Sequence, residues 1–226
     1  MRQTTFPAHE QLLFGCGLTM VAGALDAYSY LEHGAVFAGL QTGNLILLGV
    51  SLGHFQLAVV GRYLASLLAF VVGTIIVRMV QHFLEKSRVS SQLVVLGYML
   101  VLLMTALLLN NQLPSALVAA LLSLAAAAEL QEFRQIKGAP FTPLMMTGNV
   151  RNISESLYDG LRYRNREART KALDTGALML SFIGGALIVA AFTSFMAAYA
   201  LLLPAALVVA LLVWLYQQTR RRRWKH

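Results

Sequence analysis

Six apolar runs, each about the 20 residues that an α-helix needs to cross the hydrocarbon of a bilayer, dominate this chain of 226 residues. With 58% hydrophobic and 12% charged residues, the chain holds more apolar surface than a soluble domain of this size can bury in one core. The sequence therefore predicts an all-α, polytopic membrane protein with a single membrane domain over residues 1–226. The runs lie at about 11–31, 58–82, 91–110, 114–133, 172–193 and 197–216.

The tripeptide Thr-Gly-Asn occurs twice in similar surroundings. Thr42-Gly43-Asn44 follows Gly34-Ala35-Val36-Phe37, and Thr147-Gly148-Asn149 follows Gly138-Ala139-Pro140-Phe141. Glycine adopts backbone conformations that other residues resist, and Thr or Asn can cap a helix. We therefore expect an interrupted helix in each copy. We name residues 34–44 the first break and residues 138–149 the second break.

A broken helix inside a membrane exposes unpaired N–H groups and a partial positive charge, and it often marks a transporter binding site. Backbone of this kind is tolerated only where protein or a water-filled cavity covers it. Two copies predict duplicated units, with repeat one at about 11–110 and repeat two at about 114–216. The alternative, in which both breaks are tight kinks in eight ordinary spans, stays open.

The positions of the basic residues bear on this choice, because cytoplasmic loops collect Lys and Arg. If the segments 36–53 and 140–160 turn back without crossing, all 18 basic residues except Arg62 and Arg151 fall on one face. If both segments cross fully, the clusters at 78–88 and 134–137 fall on the other face.

The better interpretation is therefore six transmembrane helices plus two re-entrant Thr-Gly-Asn segments. Both termini are then cytoplasmic, and residues 217–226 form a basic cytoplasmic tail. Each half holds three spans and one re-entrant segment, so the halves begin on opposite sides and form an inverted 3+3 repeat.

The first half contains Leu25-Asp26-Ala27-Tyr28-Ser29-Tyr30-Leu31, then Gly34, the first Thr-Gly-Asn and Leu48-Gly49. Together with the second Thr-Gly-Asn, these motifs resemble the YoaK-like family of bacterial inner-membrane proteins, which is catalogued as a domain of unknown function. The resemblance covers nearly the whole chain and implies a multi-pass protein of the bacterial plasma membrane with about six spans. It implies no substrate, cofactor or catalytic residue. Around Gln131 and after the second Thr-Gly-Asn, the chain departs from the family pattern.

Ionisable residues inside apolar runs are costly and are functional candidates. Asp26 lies about two-thirds along the first run, and Arg62 lies early in the next full run at a similar height. An ion pair between them is the natural prediction, either in a transport pathway or as a staple between helices. When the two repeats are aligned, Arg62 and Asp174 occupy equivalent positions. An ion pair between these two residues is a weaker prediction than the pair of Asp26 with Arg62.

The helix after the second break has a charged face that includes Arg151 and Glu155. This face predicts an inward-facing vestibule with Arg151 near the constriction, or else an amphipathic helix at the cytoplasmic interface. Glu129 and Glu132 could face the same vestibule and pair with Arg134 or Arg151, although Glu132 also fits a solvated membrane rim. The charged face comprises Arg151, Glu155, Asp159 and Arg162.

Other functional classes have little support in the sequence. The five histidines lack the spacing of a zinc helix, Cys16 has no evident base, and no phosphate-binding glycine loop occurs. We therefore expect no enzyme, metal or cofactor. The net charge is +8, and the basic residues that cause it lie beside the spans. This placement favours contact with anionic lipid rather than with nucleic acid.

Two functions remain as hypotheses. The first is a small-solute channel or secondary transporter that favours polar neutral or anionic solutes, and the second is a non-transporting membrane scaffold or regulator. Small residues such as Gly73 and Gly184 allow close helix packing within a chain or in a homo-oligomer. The predicted pathway residues are Asp26, Thr42, Gly43, Asn44, Arg62, Thr147, Gly148, Asn149, Arg151 and Glu155.

Overall fold

The computed structural model describes residues 6–87, 89–144 and 146–223. Arg2, Arg88 and Lys225, which the charge argument uses, lie outside these residues. Within the described ranges the helices are α1 Leu12–Glu32, α2 Gln41–Gly53, α3 Leu57–Leu84, α4 Ser91–Leu109, α5 Ser115–Glu132, α6 Met146–Arg162, α7 Arg166–Met196 and α8 Leu202–Arg223. Short 3-10 turns cover Ala8–Glu10 and Ala197–Leu201, and an antiparallel hairpin pairs β1 Gln135–Ile136 with β2 Ala139–Pro140.

Five segments of the described chain are long and apolar enough to cross a bilayer. The fifth, Arg166–Arg221, contains α7, the second 3-10 turn and α8. The prediction of an all-α, polytopic membrane protein is therefore confirmed. The helices that follow the two breaks, α2 with 13 residues and α6 with 17 residues, fall outside this set.

Helix α1 lies at the centre of the molecule, and its residues are buried on several faces. Its closest neighbour is α7, because a Cβ atom on Gly185 would overlap the carbonyl oxygen of Met20. A Cβ atom on Gly23 would likewise overlap the carbonyl oxygen of Phe182. The two backbones touch at these glycines, as is common where membrane helices pack through small residues.

A second close pair joins α3 and α5. The hydroxyl oxygens of Ser66 and Ser123 lie 2.7 Å apart, and a Cβ atom on Gly73 would lie 2.9 Å from that of Ala127. Further along, the Gln81 side chain donates to the carbonyl oxygen of Gln131 at 3.2 Å. Because these contacts advance together, α3 and α5 run in the same direction.

Contacts along α1 fix the direction of its other neighbours. The ring centroids of Phe14 and Trp214 are 5.7 Å apart, and Tyr28 donates to the carbonyl oxygen of Ala198 at 3.4 Å. Helix α8 is therefore antiparallel to α1. Leu178 packs near Gly15, so α7 runs parallel to α1 and the chain reverses at the turn before α8.

The ring centroids of Phe14 and Phe133 are 5.3 Å apart, which brings the start of α1 to the end of α5. The ends of α3, α5 and α8 and the starts of α1 and α7 therefore meet at one end of the bundle. We name it the basic end, because the described cations gather there. They include Arg78, Lys86, Arg134, Lys137, Arg162, Arg164, Arg166, Arg169, Lys171, Arg220 and Arg221.

The Gly185→Ala substitution should destabilise the protein, because its new methyl group would overlap the α1 backbone. Overpacking of this kind costs about 1–3 kcal/mol. Gly184→Ala is the matched control, since the nearest atom to its Cβ would be the flexible Met20 methyl carbon at 3.9 Å. Thermal unfolding in detergent measures both variants. Equal stability of the two would contradict the close α1–α7 contact.

Candidate functional site

The first break turns back along α1 after that helix ends. Gly34 and Ala35 have φ values of 76° and 58°, in the left-handed region that favours glycine. The Asp26 carboxylate then accepts the backbone N–H groups of Gly39 at 2.6 Å and Leu40 at 3.3 Å. Because Asp26 is six residues before the end of α1, the break reaches about 9 Å back along that helix.

Asp26, on the neighbouring helix α1, therefore binds the backbone of the two residues that come just before α2. Leu40, the residue before α2, has no side chain that could cap the helix. A carboxylate is well suited to this position, because the start of a helix carries unpaired N–H groups and a partial positive charge. Asp26 is 5% exposed, so this contact lies inside the protein.

Asn44 closes the first break from within. Its side chain accepts the N–H of Phe37 at 2.9 Å and donates to the carbonyl oxygen of Phe37 at 2.8 Å. The side-chain nitrogen of Asn44 also lies 3.0 Å from Gln41 Oε1 and 3.0 Å from the Ser66 hydroxyl. Asn44 has no exposed surface, so the first break is sealed against α3.

The other residues predicted at the first break have different positions. Thr42 is exposed, and Gly43 packs beside the Phe37 ring. The Arg62 guanidinium lies against Gly34, and the described residues contain no Asp26–Arg62 ion pair. The predicted pair is wrong, because backbone N–H groups occupy the Asp26 carboxylate.

The second break follows the β1–β2 hairpin, where Lys137 and Gly138 have φ values of 50° and 74°. The two breaks meet where the Leu144 side chain lies against Gly39. Gly39 and Leu144 each lie three residues before the Thr of their own Thr-Gly-Asn. Equivalent points of the two breaks are therefore in contact.

The second Thr-Gly-Asn does not repeat the seal of the first. Thr147 and Gly148 are exposed, and Asn149 is only half-buried. The Asn149 side-chain nitrogen lies 3.5 Å from the Met146 sulfur, which is a weak acceptor. Among the described residues, Asn149 therefore makes none of the strong hydrogen bonds that hold Asn44.

Asn149 opens into a cavity of about 690 Å³ between the hairpin, α6 and α7. Lys137 and Asp174 line it and form an ion pair at 2.6 Å. The weaker predicted partner of Asp174, Arg62, is thus replaced by Lys137. The wall also includes Asn152, Arg166, Glu167 and Lys171, which gives the cavity a mixed charge with a small positive excess.

The charged face of α6 points to solvent and not to a constriction. Arg151 pairs with Glu155 at 3.5 Å, and their side chains are 75% and 64% exposed. The predicted place of Arg151 at the constriction is therefore wrong. The apolar Leu157 and Leu161 are also exposed, which fits a helix at a membrane interface.

Glu129 is the buried charge that the sequence prediction misplaced. It lies on α5 with no exposed surface, and neither carboxyl oxygen has a hydrogen-bond partner among the described residues. The predicted partners Arg134 and Arg151 are exposed. Glu132 is half-buried at the basic end, where it accepts hydrogen bonds from Gln81 at 2.8 Å and from Ser91 at 2.5 Å.

A positional signal in the sequence could have singled out Glu129. It is the fifteenth residue of α5, and Asp26 is the fifteenth residue of α1. Ser66, Ser123 and Gln41, which complete the first seal, carry no comparable signal. Among the described residues, no three His, Cys, Asp or Glu side chains form a group that could hold a metal ion.

The model of a family described as "Protein of unknown function (DUF1275)" matches residues 14–214, which include both breaks. The chain belongs to this family. A DUF1275 relative, the UPF0700 transmembrane protein YoaK of Bacillus subtilis (strain 168), is 26% identical over 180 residues. The alignment covers 76% of this chain and 80% of that protein. No solved structure matches this DUF1275 chain.

The Asn44→Ala substitution should destabilise the protein, because it leaves the Phe37 N–H without its partner and leaves only Ser66 bound to the Phe37 carbonyl oxygen. Each unpaired buried group costs about 1–3 kcal/mol. The matched control is Asn149→Ala, which removes only the weak contact with Met146. Thermal unfolding of both variants in detergent tests this expectation. Similar losses at the two positions would contradict the contrast between the breaks.

Proposed function

We propose that this chain moves small polar solutes across the membrane as a secondary transporter, along a pathway between the two breaks. The observation that carries the proposal is the contrast between two copies of one motif. Asn44 is buried in a ring of hydrogen bonds, whereas Asn149 borders a cavity. A channel open through both breaks would leave them in the same state. A transporter closes one end while it opens the other.

The proposal includes six membrane crossings and two re-entrant segments. Asn44 of α2 contacts Ser66 of α3, although α2 ends at Gly53 and α3 begins at Leu57. Because α2 turns back into α3, the first break and α2 together return to the side of the membrane where α1 ends, and α3 then crosses. In the second repeat, Gly160 packs on Arg169, so α6 and α7 form a hairpin at the basic end of the bundle.

An inverted repeat accounts for the helix contacts as a set. The α1–α7 pair corresponds to α5–α3, the α1–α8 pair to α5–α4, and the α2–α3 pair to α6–α7, and each of these pairs is in contact. The Gly39–Leu144 contact then lies on the axis that relates the halves. Exchange of the two break conformations would convert one end-open state into the other.

The basic end is proposed to lie in the cytoplasm, with both termini, and the chain is assigned to the bacterial inner membrane. This orientation follows the tendency of Lys and Arg to stay on the cytoplasmic side. The cavity at the second break then opens inward, and the Asp26–Asn44 seal faces outward. The basic tail contacts anionic lipid.

The chemistry of the cavity suits polar neutral or anionic solutes. Asn149 and Asn152 supply amide donors and acceptors, and Lys171 adds a cation beyond the paired Lys137. The start of α6 adds a partial positive charge. The proposal assigns no catalytic chemistry, cofactor or nucleic-acid partner to the chain.

Flux into proteoliposomes tests the proposal with a panel of small probes: glycerol, urea, formate, lactate and glycine. The purified protein should accelerate the entry of at least one probe over empty liposomes. The double substitution Asn44→Ala, Asn149→Ala should change that flux severalfold, because it alters both breaks. Glu155→Gln is the matched control, since Glu155 is exposed outside the pathway, and it should leave flux unchanged.

Two results would contradict the proposal. Folded protein that accelerates none of the probes would favour the scaffold hypothesis. A confirmed flux that the double substitution leaves unchanged would remove both asparagines from the mechanism.

A further inference from the structure

Glu129 presents an electrostatic problem that the remaining contacts do not solve. An ionised carboxylate with no partner is costly inside a protein and more so at membrane depth. Glu129 has no exposed surface, and both of its oxygens lack a partner among the described residues. A neutral, protonated carboxyl group is the form that suits this environment.

The equivalent carboxylate in the first half has the opposite surroundings. Asp26 accepts hydrogen bonds from the N–H groups of the two residues just before α2, at 2.6 and 3.3 Å. Those donors and the helix dipole stabilise a negative charge. Asp26 has hydrogen-bond donors and belongs to the half with the sealed break, whereas Glu129 has none among the described residues and belongs to the half with the open break.

The groups around Glu129 also favour its neutral form. On α1, which packs against α5, Asp26 is the buried acidic group, and the backbone N–H groups of Gly39 and Leu40 hold its carboxylate. The polar groups of α3 and α4 at this end of α5, Gln81 and Ser91, are uncharged and bond to Gln131 and Glu132. The Lys137 ammonium across the second break is paired with Asp174.

We propose that Glu129 is a proton-binding site that couples proton binding to the state of the second break. Glu129 holds a proton while the second break is open. When the N–H groups at the start of α6 dock against α5, the Glu129 O–H bond breaks, the proton passes to water, and the carboxylate accepts the N–H groups. This inference rests on the proposed function, because the closing of the second break is a step of the transport cycle.

The reactivity of a cysteine at Gly148 measures the state of the second break without a known solute. Gly148 is exposed, and a Cβ atom there meets nothing within 4 Å. The experiment uses Cys16→Ser with Gly148→Cys in inside-out vesicles and a membrane-impermeant thiol reagent. Labelling at each pH is divided by that of the same protein unfolded in detergent, which removes the pH dependence of the thiol.

Labelling should fall severalfold as the pH rises from roughly 5 to 9, a range that lies above the ordinary pKa of Glu. Added Glu129→Gln should keep the site labelled at every pH, because glutamine mimics the protonated carboxyl group. Glu132→Gln is the matched control on the same helix and should follow the parent. A parent protein with no pH dependence, or a Glu129→Gln variant that follows the parent, would overturn the proposal.

Infrared spectroscopy provides a second measurement that does not depend on gating. The parent at neutral pH should show the carbonyl band of a protonated carboxyl group, which Glu129→Gln removes and Glu132→Gln retains. A parent without this band would overturn the proposal. Absence of flux with an intact pH response would instead count against transport alone, so the two failures are distinguishable.

Discussion

The structure depends on one constraint: backbone that leaves a helix inside a membrane must find hydrogen-bond partners in the protein. In the first break, Asp26 binds the N–H groups of Gly39 and Leu40 just before α2, and Asn44 binds both backbone groups of Phe37. These side chains replace the helical bonds that the break removes. The second break differs, because its Thr147 and Gly148 are exposed and its Asn149 lines a cavity.

The two halves share the same helix packing but differ in how their breaks are held. Glycines bring α1 against α7, and small residues bring α3 against α5, so the packed helices form a rigid support for both breaks. On that support the first break is docked and the second is not. Gly39 and Leu144 bring equivalent points of the breaks together. The two breaks are therefore in direct contact with each other.

Sequence patterns predicted the helices well, because about 20 apolar residues have few alternatives in a bilayer. The Thr-Gly-Asn repeat located both breaks, since glycine and capping residues act locally. The partners of buried charges were not predictable in this way. Asp26 was expected to bind Arg62, but it binds backbone N–H groups that any residue could supply. Likewise, Glu132 finds Gln81 and Ser91 through helix packing that no local pattern encodes.

Cysteine cross-linking can test whether the two breaks meet at Gly39 and Leu144. The experiment places Gly39→Cys and Leu144→Cys in a Cys16→Ser protein and oxidises it in native membranes. If the breaks are in contact, an intramolecular cross-link should join the two halves. It should be visible after cleavage of an engineered protease site in the α4–α5 loop. Ser66→Cys with Ser123→Cys is the positive control, because their hydroxyl oxygens are 2.7 Å apart. A cross-link in the control but none between positions 39 and 144 would contradict the contact between the two breaks.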